Sequence, residues 1–278
     1  MVPNPTSFAI QGDEMTDSYN VYIKDFLADR LDGMMTNPGI PWVKPTEDPI
    51  LNGYNRPYEG LNRLLLTHYC RKNKIPQRIF CNFQQRRKFG FPVWKNEKSV
   101  AVMGKNGNIY SVFPCPTIKD KQREYLVSVK EYDKELNVKV RSWADKQKKY
   151  PFNDDGICSA IYNSIFSNMP WKNDVDKLYT EITAACIANQ IGISKKLEAE
   201  NIQRLQQFKI IAENMDVNEM VKVVNREMNN LLGIIKGIKL DPEIYQKNIS
   251  SSLLQLQEKN NEPKKFKLEE LLTPRIKR

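Results

Sequence analysis

The apolar residues of this 278-residue chain change their spacing twice. Tyr19, Tyr22, Ile23, Phe26, Leu27 and Leu31 recur every three or four positions, which is the stripe of one helix over residues 15–35. Leu61, Leu64, Leu65 and Tyr69 mark a second helix over 58–73, and "NFQQRRKFG" reads as a short one closed by Gly90. After Gly90 the spacing becomes alternate. "FPVWK", "SVAVM", "NIYSVF", "EYLVSV" and "LNVKVRSW" carry β-branched and aromatic residues at every second position, with "GKNGN" and "EYDKEL" as turns. From Pro151 the helical spacing returns, over 156–167, 174–191, 198–213, 217–238 and 242–259, with Asp216 as an expected N-cap and Glu219 three residues on. Helices on either side of a run of short strands predict an α+β fold. The expected architecture is a small antiparallel sheet with packed helices in residues 15–150 and a mostly helical region over 151–260. Residues 1–14 read as a flexible N-terminus and 261–278 as a flexible or docking tail. Four prolines make "TNPGIPWVKPTEDP" a loop.

Charge separates the two halves. Residues 1–150 carry 25 Lys and Arg against 16 Asp and Glu, whereas residues 151–278 carry 18 against 17. The window Arg56–Lys105 alone holds 12 basic and 2 acidic residues, as large an excess as the net +10 of the chain. A field concentrated in this way favours a polyanion: nucleic acid, an anionic surface or an acidic protein. No apolar run reaches the length of a membrane span, and the first residues lack the basic and apolar regions of a secretory signal. The five cysteines are far apart in sequence, so neither a disulfide framework nor a zinc knuckle is implied, and reduced thiols fit best.

Holding a single strand takes cations that replace phosphate counterions and rings that stack on bases. The basic window supplies both. Arg86, Arg87, Lys88, Lys95 and Lys98 are placed to follow a backbone, and Arg63 lies on the polar side of the preceding helix. Among the rings, Phe83 and Phe89 are expected to face inward and Trp94 outward beside Lys95; Trp42, beside Lys44, is a second candidate for stacking.

The order of these residues adds a resemblance. "IPWVKP", "PYEGLNRLLLTHY" and "NFQQRRKFGFPVWKNEK" together resemble the N-terminal domain of ArdC-type antirestriction proteins. Pro41, Trp42, Lys44 and Pro45 match a Pro-Trp-x-Lys-Pro loop. Tyr58, Gly60, Asn62 and Leu65 match the start of a helix. Phe83, Gln85, Gly90, Val93, Lys95, Glu97 and Lys98 match an aromatic-x-Gln element and the Val-x-Lys segment after it. The departures are Glu59 at a usually basic position, Leu61 for Ile and Asn96 for Gly. The resemblance implies an α+β domain that binds single-stranded DNA with little sequence preference. It adds Tyr58, Asn62 and Gln85 to the candidate contacts and places the chain in a phage or other mobile element. The expected location is then the cytoplasm of a bacterial host, or carriage in a virion.

The second domain of that family is a zinc metallopeptidase-like fold with two histidines one helical turn apart. Here His68 is the only histidine, and it stands in the basic half. "LYTEITAACIANQIGI" is nonetheless similar to the family helix that carries an acidic metal ligand, which would be Glu181. Upstream, "CSAIYNSIFSN" would put Ser159, Ala160 and Asn163 where His, Glu and His belong. The expectation is a helical, zincin-like remnant that holds no metal or other cofactor, performs no catalysis, and acts as a scaffold or as a surface for a host defence protein or one encoded by the element. A Gly-rich phosphate loop and a Ser-His-Asp set are both missing. The competing expectation is a protein without DNA, whose basic face binds and inhibits an acidic host defence protein.

Overall fold

Short polar side chains start several of the helices. Asn82, Asn153 and Asn173 each accept a bond from a backbone N–H three residues on, and Asp216 accepts two, from Asn218 and Glu219. The computed structural model describes residues 12–44, 49–75, 78–91, 97–104, 107–115 and 120–238. The expected helix over 242–259 and the tail lie outside them. In chain order the elements are α1 (Gly12–Thr36), β1 (Leu51–Asn52), α2 (Gly60–Lys72), β2 (Ile79–Cys81), α3 (Phe83–Phe89), β3 (Val100–Met103), β4 (Ile109–Pro114) and α4 (Asp120–Lys146). Then follow α5 (Asp154–Ser167), α6 (Asp174–Gln190), a 3₁₀ turn (Ala199–Arg204), α7 (Leu205–Asn214) and α8 (Val217–Lys236). No helix among the described residues is long and apolar enough to cross a membrane.

The fold is α+β, but its sheet is mixed and not purely antiparallel. The strand order is β1-β2-β4-β3. β3 and β4 pair antiparallel, and Gly107, two residues before β4, takes a φ of 81°. β2 runs antiparallel to β4, while β1 runs parallel to β2 because α2 connects them, and a helical crossover returns the chain in the same direction. "EYLVSV" and "LNVKVRSW" are not strands: both lie in α4. The alternation of Leu136, Val138 and Val140 is real, but Leu136, Val140, Trp143 and Ala144 also stand four, seven and eight positions apart, and that set is buried in the core.

The sheet has an apolar cluster on each face. Ile50, Leu66, Cys70, Phe80, Val100, Val102 and Val112 fill the side toward α2, and Leu51, Ile79, Cys81 and Cys115 fill the other. α3 packs against β2 and β4. The main core gathers α1, α2 and α4–α8 around α6, in which every residue from Leu178 to Gln190 is buried. A helix buried all round is a central one, and α6 packs against α2, α5, α7 and α8. Residues on either side of position 150 thus share a single core. Cross-links repeat the point: Trp42 N–H donates to the Lys195 carbonyl at 2.8 Å, and Lys24 Nζ to the Glu213 carbonyl at 2.8 Å. Gly60, at φ 54°, sits so close to α8 that a Cβ there would come within 2.8 Å of Met228 Cε.

Candidate nucleic-acid interface

Helix α3 is two turns long and held at both ends. Asn82 and Gln85 form a reciprocal capping box, and Gly90 closes the helix in the left-handed region at φ 69°. Its inner face is polar. Gln85 is buried, and Arg86 is fully buried, with its guanidinium donating to both oxygens of Glu97 at 2.6 Å and to the Pro114 carbonyl, over the Phe113 ring. With Gln85 and Arg86 inside, the helical step turns Phe83 and Arg87 outward together. Phe83 leaves 47% of its surface exposed, and Arg87 and Lys88 are exposed; Phe89 is half-buried.

A ring that the sequence reading passed over lies beside α3. Tyr54, 51% exposed, stands at the tip of the turn after β1. Asn52 Oδ1 accepts from the backbone N–H of Tyr54 and of Arg56, and Asn55 adopts φ 59°. Gly53 lets the turn lie on the sheet, since a Cβ there would meet Cys81 Sγ at 2.8 Å. Lys88 Nζ lies 5.2 Å from the centre of the Tyr54 ring, and the Tyr54 and Phe89 rings meet in a T-shape with their centres 5.6 Å apart. Tyr54 with Lys88 on one side of α3, and Phe83 with Arg87 on the other, each offer an exposed ring beside a cation, and Arg56 is exposed in the same turn as Tyr54. "NGYN" was the available signal: a tight turn exposes whatever its tip carries.

Six of the sequence candidates are structural instead. Trp42 is fully buried in the main core, its backbone bonded to Lys195, and offers no face to a base. Tyr58 is buried and donates to the Phe80 carbonyl. Arg63 is buried against Asp133 at 2.9 Å. Gln85 serves the capping box, and Arg86 is held by Glu97. Asn62, half-buried, both donates to and accepts from the backbone of Met103 and so fixes α2 to β3. Lys44 and Lys98 are exposed; Trp94 and Lys95 lie outside the described residues.

Lys44 lines a second cationic surface, a cavity of about 330 Å³ with Arg30, Arg71 and Lys72 on its walls beside Asp29 and His68. His68 is buried, 3.5 Å from Asp29 and edge-on to Phe26. Burial first, then the Arg30 charge, outweigh Asp29 and lower its pKa to about 4. Between the ordinary value of about 6.5 and 4, the unfolded chain binds a proton that the folded chain refuses. Stability from this group is complete above pH 6.5 and is lost as pH falls toward 4. The chain has one histidine, so a single imidazole resonance in a proton NMR titration reports it; a midpoint near 6.5 would contradict the burial.

In the helical half, Glu181 is fully buried but is not idle. Its Oε1 accepts from the Glu198 N–H at 2.9 Å and from Asn201 Nδ2 at 2.8 Å, and its Oε2 lies 2.9 Å from Lys195 Nζ. Lys195, 1% exposed, also donates to Glu198 Oε1 at 2.8 Å, and its ammonium lies 5.7 Å from the Tyr162 ring centre. Burial alone would lower its pKa; Glu181 and Glu198 outweigh it, and the net shift is upward. Ser159 Oγ donates to Glu198 Oε2 at 2.8 Å. Ala160 is plain core, and Asn163 faces out, bonded to the Ser159 carbonyl. The sequence reading missed Lys195 because a lysine after a Gly-Ile turn looks solvated, and burial of lysine without a partner is rare. Among the described residues no group of three or more His, Cys, Asp or Glu is placed to hold a metal.

Residues 23–150 match the family model described as the N-terminal domain of anti-restriction factor ArdC. No curated protein and no solved structure matches the chain. The matched stretch contains the whole run of motifs from Pro41 to Lys98, and residues 23–150 are similar to the ArdC N-terminal domain.

Proposed function

We propose that this chain binds single-stranded DNA without catalysis and serves an antirestriction role, shielding incoming DNA of a phage or other mobile element. The observation that carries the reading is the exposed Tyr54 ring under the Lys88 ammonium, with Phe83 and Arg87 exposed on the other side of the same short helix. Rings of this kind stack on bases regardless of sequence, and the cations replace counterions on the phosphates. The family of residues 23–150 supports the biological role. The non-catalytic part is supported by the single histidine, which sits on α2, and by the engagement of Glu181 with Lys195, Asn201 and the Glu198 backbone.

Fluorescence anisotropy with labelled single- and double-stranded oligonucleotides at physiological salt tests it. The wild-type chain is expected to prefer the single strand. Tyr54→Ala and Phe83→Ala are each expected to weaken binding by about 1–3 kcal/mol, and Arg87→Ala to lower the salt slope by about 1. A chain that ignores both kinds of DNA overturns the reading and returns the basic face to an acidic protein partner.

A further inference from the structure

Cys81 and Cys115 come from adjacent strands. Cys81 is the last residue of β2 and pairs with Phe113 of β4, and Cys115 follows β4 with its N–H bonded to the Ile79 carbonyl. The alternation of side chains puts both on the sheet face under α3, where both are fully buried with Leu51 and Ile79. Their sulfurs lie 2.7 Å apart. Of the five cysteines, all free and buried, these two are recorded in contact.

We infer that Cys81 and Cys115 form an oxidisable dithiol that closes to a disulfide between β2 and β4. Closure brings the sulfurs together by roughly 0.7 Å, to the bond length of about 2.05 Å. The surroundings divide the roles of the two sulfurs. The contact with Cys81, helped against burial by the nearby Arg86 charge, lowers the pKa of Cys115, while the same contact and burial raise that of Cys81. Cys115 is thus the attacking thiolate. The oxidant is a small-molecule disulfide, admitted as the cover of α3 and Phe91 opens. The Cys115 thiolate attacks one of its sulfurs, forming a mixed disulfide and expelling a thiolate. Cys81 then loses its proton and attacks the Cys115 sulfur, expelling the second thiolate. Two thiols of the protein are oxidised, one disulfide of the reagent is reduced, and the two protons end on the two released thiols.

The inference stands apart from DNA binding, and its test needs no nucleic acid. The full-length native protein is equilibrated in glutathione buffers from reducing to oxidising, then denatured, alkylated, digested without reductant and analysed by mass spectrometry. At the oxidising end the expected result is loss of two alkylatable thiols, a peptide linked through Cys81 and Cys115, and continued alkylation of Cys70, Cys158 and Cys186. Dithiothreitol restores all five. In Cys81→Ser and Cys115→Ser, checked for folding by circular dichroism, the linked peptide is absent. Full alkylation of five thiols at every poise overturns the inference. So does a link that joins other cysteines, or glutathione adducts on Cys81 or Cys115 that never resolve into the cross-link.

Discussion

Lys195→Met is expected to destabilise the chain by about 3–5 kcal/mol, the usual cost of removing one partner of a buried ion pair. The reason lies in what stays behind. Glu181 has no solvent-exposed surface, and its second oxygen faces the Lys195 ammonium at 2.9 Å. Without that charge a carboxylate is left dry, and Glu198 loses the same partner. Pairing the change with Glu181→Gln removes the orphaned charge and is expected to recover much of the loss. Urea unfolding of the single and double variants decides. A single variant within about 1 kcal/mol of wild type, or a double variant no better than the single, rules out an ion pair that matters to the fold.

Arg86→Met is expected to cost about 3 kcal/mol or somewhat more. It removes two bonds to Glu97 and one to the Pro114 carbonyl, and these fasten α3 to β4 and to the segment that carries Glu97. Glu97 keeps part of its surface in water, so its abandoned charge is cheaper than that of Glu181. Arg86→Lys is not expected to rescue the loss, because one ammonium cannot reproduce the two-pronged contact with a carboxylate. Arg87→Ala, one position on, is expected to leave stability within about 0.5 kcal/mol and to act on DNA binding. The two neighbours thus separate folding from binding. Equal effects of both on unfolding in urea would refute the assignment of Arg86 as structural.

Much of the helical framework was legible because it depends on local rules. The stripe from Tyr19 to Leu31, the cap at Asp216 and the stop at Gly90 are written within a few residues of where they act. The direction of α3 was not. Its seven residues hold rings and cations on both sides, and what turns Arg86 inward is Glu97, eleven positions away. Once that pair forms, Phe83 must face out, against the expectation for a phenylalanine. Trp42 shows the converse. A tryptophan beside a lysine in a proline loop reads as exposed, but Trp42 is buried in the main core and its backbone N–H donates to the Lys195 carbonyl. Lys195 itself reads as surface until both of its carboxylates are seen. In each case the deciding partner is remote in sequence.

The burial of α6 bears on how such a chain changes over evolutionary time. The matched stretch ends at residue 150, yet Thr67 on α2 meets Asn189 on α6, and Gly60 packs against the end of the Met228 side chain on α8. The recognisable domain is therefore not a portable cassette. Recombination that cut at its edge would strip the wall from its own interior. Substitutions on the outer surface of α5–α8 remain open to drift, but the inward faces must co-vary with α1 and α2. The helical half is needed as architecture, because its helices wall the core that α1 and α2 share with it.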